Sequence, residues 1–314
     1  FIDLKPVALN LQQVQDLLES MPGSSIEKIE VLTTPPPQYA MEEGGVINIV
    51  TKKGRAGITG RFTLNGGSRG EKGAHASINY RRRGLSIGIN GGYSDNNFKG
   101  AGYSKRQNLY KDSVSYFNSS NGYNNKNNRP SFRLNVDYDI NKKHSINLVT
   151  HLNGNSFNNL NEVEYQNRNR FEELYKLSRR STNSVGQNQN FNSNITYTWR
   201  TSKPGETLRL VAGYNQSESE NNRYFYQQFF HPDFTPTGYD STQQQLNRNV
   251  FKSFHARLNY DLPLVAKKTF LSMGSFQQIN ISNIDVAAAY KRNLDDVLVP
   301  QTALSNNFRF RQTV

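Results

Sequence analysis

The stretch from Ser131 to Tyr138 limits the fold more than any other part of this chain. Phe132, Leu134, Val136 and Tyr138 fall at every second position, with Ser131, Arg133, Asn135 and Asp137 between them. Side chains of an extended strand point alternately to opposite faces, so this run is a strand with one apolar and one polar face. The pattern recurs in Phe62 and Leu64, in Ile87 and Ile89, in Ile146, Leu148, Thr150 and Leu152, and in Ile195, Tyr197 and Trp199. It returns in Leu208, Leu210, Ala212 and Tyr214, and again in Phe254, Ala256, Leu258, Tyr260 and Leu262. Several of these runs reach the ~9–11 residues that cross a bilayer when tilted.

The connections are as regular as the strands. Four are short and basic: Arg81-Arg82-Arg83-Gly84, Asn141-Lys142-Lys143, Lys203-Pro204-Gly205, and Pro263 to Lys268. They recur about every 60 residues, a repeat in layout rather than in sequence. Each follows an aromatic near its strand end: Tyr80, Tyr138, Tyr197 with Trp199, and Tyr260. Between them lie tracts rich in Asn, Ser, Gln and Tyr, at residues 95–128, 155–190 and 217–247, which read as long outer loops. Structureless loops beyond about 15 residues are uncommon in a compact soluble domain. An antiparallel transmembrane β-barrel makes both features ordinary, with short turns on one side, long loops on the other and aromatics at the interfaces. About ten strands are expected from residue 60 to the end, the last through Phe308 and Phe310. A soluble β-sandwich or β-helix shares the alternation strand by strand, but not this order of turns and aromatics.

Composition fits the barrel. Mean hydropathy is −0.76, as expected when one face of each strand is apolar and the tracts between are polar. No run approaches the roughly 18 apolar residues of a membrane helix. Seventeen Tyr, 18 Phe and one Trp argue against a solvated coil. Zero cysteines exclude disulfides, thiolate metal sites and cysteine nucleophiles. A net charge of +13 admits nucleic acid as a partner, but the cations form no single stripe and nucleic acid is not expected.

Residues 1–54 read differently, as a small α/β unit. Asn10 caps a helix carrying Val14, Leu17, Leu18 and Met21, with Gln13 completing a capping box and Leu9 a hydrophobic staple. Pro22-Gly23 ends the helix, strands follow at Ile29–Thr33 and Val46–Thr51, and Lys52-Lys53-Gly54 closes the unit. Fifty residues are few for an independent domain, so the unit is expected to lean on something else.

Candidate chemistry is sparse. Asp137, Asp139 and Asn141 imitate an EF-hand loop, but Lys142 and Leu148 stand where Gly and Glu are required. His75, His144, His151, His231 and His255 make no metal-binding spacing. Glu162 with Glu164, Glu172 with Glu173, and Asp295 with Asp296 read as solvated loop charge. Lys99, Lys105, Arg106, Tyr110 and Lys111 stand as ligand or lipid contacts in the outer loops, and Tyr103, Tyr116, Phe117 and Tyr123 suit stacking on carbohydrate or peptide.

The segment PGSSIEKIEVLTTPPPQYAMEEGGVINIVTKKG (22–54) resembles the end of the plug domain of TonB-dependent outer-membrane receptors, in the branch described as outer membrane β-barrel family proteins. The matching residues are Pro22, Ser25, Ile26, Glu27, Ile29, Glu30, Val31, Pro35, Tyr39, Gly45, Ile47, Asn48 and Ile49, followed by Lys52-Lys53-Gly54. Leu4, where the family has Gly, and Met41-Glu42-Glu43 depart from the pattern. The resemblance implies that residues 1–54 are the C-terminal part of a plug and 55–314 the N-terminal part of a larger outer-membrane barrel. It further implies energy-coupled uptake of a siderophore, glycan or peptide, no catalytic residue and no cofactor. The implied partners are outer-membrane lipid, TonB through a segment outside this chain, and a surface lipoprotein. A complete small barrel enzyme of protease or lipase type is the alternative, with His75 or His255 as its base.

Overall fold

The structure, a computed structural model, describes residues 26–32, 46–51, 57–111, 113–265, 269–291 and 297–314. The expected helix at 10–21, with Pro22, Ser25, Tyr39 and Gly45, lies outside the described residues. Among the described residues two antiparallel sheets form and no α-helix. Strands β1 (Ile26–Leu32) and β2 (Val46–Thr51) make the smaller sheet, with Ile29 opposite Ile49 and Glu30 opposite Asn48.

The larger sheet has eleven strands: β3 (Gly57–Gly66), β4 (Lys72–Arg82), β5 (Leu85–Leu109), β6 (Val114–Asp139), β7 (His144–Arg168), β8 (Leu174–Arg200), β9 (Thr207–Phe230), β10 (Pro236–Val265), β11 (Thr269–Lys291), β12 (Leu298–Pro300) and β13 (Asn306–Thr313). Each strand from β3 to β11 pairs with its sequence neighbour, an up-and-down order, while β12 and β13 both pair with β11. The short β12 accounts for the strand beyond the ten read from sequence.

The basic segments at 81–84, 141–143 and 203–205 are turns, while Pro263 to Lys268 lies partly outside the described residues, its first three residues ending β10. Arg83 and Gly84 connect β4 to β5 with φ of +37° and +80°, and a two-residue hairpin of this kind requires positive φ at both positions. A Cβ on Gly84 would also lie 3.0 Å from the Asp139 carbonyl oxygen.

The tracts read as loops are not loops. Residues 95–128, 155–190 and 217–247 run almost entirely in ladder, carrying β5 to β10 to lengths of 24–30 residues. The connections at that end are short: Tyr110 N–H bonds to the Ser113 carbonyl, Asn169 to Glu173, and His231 to Thr235. These tracts are polar on both faces, so no alternation marks them. They are strands because each finds its hydrogen-bond partners along a neighbour remote in sequence.

Burial is inverted relative to a water-soluble protein. Ser253 and Asn194 are 5% and 8% exposed, whereas their chain neighbours Phe254 and Ile195 are each 48% exposed. Side chains crowd on the concave side of a curved sheet and splay on the convex side. The large sheet therefore curls with its polar face inward and its apolar face outward.

Candidate functional site: a polar wall and a hairpin apron

The inward face presents a hydrogen-bonded polar wall. Asn147 on β7 is 7% exposed, and its Nδ2 donates to Asp137 Oδ1 at 2.9 Å and Asn135 Oδ1 at 3.3 Å. Asn135 Nδ2 in turn donates to the other Asp137 oxygen at 2.9 Å. The EF-hand-like spacing is thus explained in part by a strand-borne network, and no group of three or more metal-ligating side chains forms among the described residues. Next along the wall, Arg133 stands opposite Asn90 and His151. Asn194 and His255 meet over Gly213, where a Cβ would lie 2.2 Å from both side chains. His75 stands opposite Gly92 on the same face.

Part of this wall has no partner among the described residues. Both ring nitrogens of His151 and the Oδ1 atoms of Asn153, Asn155 and Asn194 are screened from solvent and bond to no group among the described residues. A dry apolar body packed here would leave each at a cost of about 1–3 kcal/mol. Water or another polar surface is what this face accommodates.

The outward face is apolar between two aromatic rows. Near the short turns stand Tyr138, His144, Tyr197, Trp199 and Tyr260, with His144 Nδ1 2.7 Å from the Tyr197 hydroxyl. Toward the other end stand Phe132, Phe191, Tyr214 and Phe254, where Tyr214 packs on Phe254 at 4.7 Å and on Phe191 at 6.0 Å between centroids. Between the rows lie Leu134, Val136, Leu148, Ile195 and Leu210. On β6 the run from Pro130 to Asp139 supplies the ~9–11 residues of a tilted crossing. Paired aromatic girdles around an apolar band are the signature of a strand-built membrane protein.

Beyond the upper row the strands continue as an apron of hairpins. On its inward face Arg106 lies 5.0 Å from the Phe117 ring, Phe117 packs 5.8 Å from Tyr165, and Arg180 lies 5.9 Å from Tyr165. Arg180 also donates to Gln227 Oε1 at 2.6 Å. On the outward face the cations Arg179 and Arg248 are ion-paired with Glu164 and Glu218, at 2.9 and 2.7 Å. The Glu164 carboxyl is held below its ordinary value, chiefly by the Gln166 hydrogen bond and then by Arg179.

The five ligand-contact residues read from sequence do not form one patch. Lys99, Lys105 and Arg106 belong to β5 rather than to a loop, and alternation places Lys99 and Lys105 outward with Arg106 inward. Tyr110 and Lys111 occupy the turn after β5. Tyr116, Phe117 and Tyr123 lie on β6 and Tyr103 on β5, while Glu162 and Glu164 lie on β7. Sequence reading passed over Asn147, Tyr165 and Arg180. The alternation in β7 marked Asn147 as an inward residue; nothing local marked the other two.

In the small sheet, β1 carries Ile26, Glu27, Ile29, Glu30 and Val31, and β2 carries Ile47, Asn48 and Ile49. Asn48, fully buried, donates to Glu30 Oε2 at 2.8 Å, and Lys28 pairs with Glu30 at 2.6 Å. The Lys28 and Asn48 hydrogen bonds hold the Glu30 carboxyl below its ordinary value.

Residues 199–314, from the end of β8 to the end of the chain, match the model of the family described as outer membrane protein beta-barrel family. No curated protein matches the chain. The family match places the protein in the bacterial outer membrane.

Proposed function

We propose that this chain is part of a TonB-dependent outer-membrane receptor, with residues 1–54 in the plug and 55–314 in the wall of a closed barrel. The observation that carries this reading is the inverted sheet: polar wall inside, girdled apolar band outside, and wall atoms that bond to nothing among the described residues. A polar plug is a natural occupant for such a lumen. The resemblance of residues 22–54 to plug sequence supports the small β1–β2 unit as part of it. In this mechanism the inward aromatic and guanidinium groups of the apron, Arg106, Phe117, Tyr165 and Arg180, capture a ligand with planar, anionic or hydroxyl groups. A siderophore, glycan or peptide each carries such groups. TonB then pulls on a segment upstream of the plug, and the plug yields a polar path past Arg133, His151 and the Asn147 network. No bond is made or broken, so the protein binds and gates without a catalytic residue.

The test is electrical. Full-length protein from native outer membranes, in planar bilayers, is expected to be nearly silent, and removal of residues 1–54 to give a steady ion conductance. High conductance with the segment in place, or none after its removal, refutes the plugged-channel reading.

A further inference from the structure

A second polar site lies on the outward face of the apron, above the apolar band. Lys99 on β5 stands opposite Asn124 on β6, and Lys126 on β6 stands opposite Asn97 on β5 and Asn158 on β7. The two lysines are therefore diagonal neighbours, about 7–8 Å apart at the backbone. Both are exposed and neither is ion-paired among the described residues; Asp95, diagonal to Lys126 on this face, stands directly across from Lys72. They differ in this from Arg179 and Arg248, which are neutralised by glutamates on the same face.

The lysines adjoin a recess lined by Asn124, Lys126, Asn158, Leu160 and Asn183. The Oδ1 atoms of Asn97, Asn124 and Asn183 are screened from solvent and bond to no group among the described residues. An amide offers a donor and an acceptor in either orientation. The recess and its rim thus combine the Lys126 ammonium and, diagonal to it, that of Lys99 for an anion, amide side chains for hydroxyls and one apolar side chain, Leu160. A bare phosphate uses only the first of these, and a fatty-acid headgroup without sugar leaves the amides idle.

Height fixes the source. Lys126 precedes Phe132 of the upper girdle by six positions on the same outward face, about 20 Å along the strand. At a tilt of ~45° that is roughly 14 Å above the apolar band, beyond the acyl chains and at the level of a saccharide headgroup. We propose that Lys99 and Lys126, with Asn97, Asn124, Asn158 and Asn183, bind the phosphorylated saccharide headgroup of a glycolipid in the outer leaflet. The site clamps membrane lipid against the apron and is separate from the inward ligand surface. It rests on the outward, lipid-facing reading of the apolar band.

The experiment uses the full-length protein in detergent micelles, with native mass spectrometry counting retained lipid. The probes are a diphosphorylated glucosamine-disaccharide glycolipid, its dephosphorylated form, phosphatidylglycerol and inorganic phosphate. The wild type is expected to retain the phosphorylated glycolipid at least tenfold more tightly than the other three. The double variant Lys99→Gln/Lys126→Gln should lose that preference, and Lys99→Arg/Lys126→Arg should keep it. Unchanged binding by the Gln double variant overturns the site. So does equal retention of the dephosphorylated glycolipid or of phosphatidylglycerol, and so does equal affinity for inorganic phosphate, which would make it a free-anion site. Quenching of Trp199 by brominated acyl chains, measured in parallel, separates the two levels. Quenching without a lysine effect sinks only the headgroup site, and absence of quenching sinks the outward facing on which it rests.

Discussion

His144 and Trp199 stand opposite one another across β7 and β8, ring planes parallel and centroids 6.4 Å apart, at the short-turn end of the apolar face. The hydrogen bond between His144 and Tyr197 ties a polar edge to the same cluster. Amphipathic rings of this kind settle at a membrane interface, apolar body toward the chains and polar tip toward the headgroups. Trp199 is the sole tryptophan of these 314 residues, so with any tryptophan outside them replaced by Phe its fluorescence reports one place. In vesicles, lipid brominated near the headgroup end of the chain should quench it more strongly than lipid brominated near the chain terminus. Quenching by aqueous iodide alone would put this face in water.

The facing of β6 makes an asymmetric prediction. Leu134 points outward between Ile89 and Thr150, while Asn135 points inward to Asp137 and Asn147. Leu134→Arg should destabilise the folded protein in lipid vesicles by about 2–4 kcal/mol, the cost of a guanidinium near the bilayer midplane. Asn135→Arg loses hydrogen bonds worth about 1 kcal/mol but keeps a donor beside Asp137. Urea unfolding in vesicles of both variants measures the difference, and equal costs would reverse the assignment of faces.

The apron should be a folded extension of the sheet, and Gly186 tests it. A Cβ there would lie 2.2 Å from the Glu220 carbonyl oxygen and 2.6 Å from the Phe157 ring. Gly186→Ala should therefore push β8 and β9 apart locally, at about 1–3 kcal/mol for an overpacked contact. Hydrogen exchange should accelerate at amides 155–165, 181–190 and 217–224 and stay unchanged at 145–153. Rapid exchange of these apron amides in the wild type would mean that they are loops after all.

Acid should loosen the short-turn end. Glu206 accepts hydrogen bonds from Thr201 and from the Tyr260 hydroxyl, and these, the Thr201 bond first, hold its carboxyl below the ordinary value. A carboxylate whose folded pKa lies below the unfolded one contributes stability that is present above the unfolded value, near 4.3, and is lost as pH falls through the folded value. Thermal melts of the wild type should drop over that acid window, and Glu206→Gln should flatten the drop. An identical acid profile in the variant would remove Glu206 from the account.

Local sequence set which side chains share a face of a strand, and where the basic turns at 81–84, 141–143 and 203–205 fall. Both are local properties: the two-residue period belongs to the extended backbone, and Arg83-Gly84 needs only its own dihedrals. That sufficed to separate Leu134 from Asn135 and to order the membrane-crossing strands. The apron was not legible, because Asn, Ser and Gln have weak strand preference and both of its faces are polar. Its ladder exists only when a strand such as β6 lies between β5 and β7, each supplying N–H and C=O groups from far along the chain. The same long-range pairing sends Lys99 outward, sends Arg106 inward onto Phe117, and sets Lys126 beside Asn158. Spacing along one strand fixes a side chain's face, but its cross-strand neighbours depend on register, which only the assembled sheet decides.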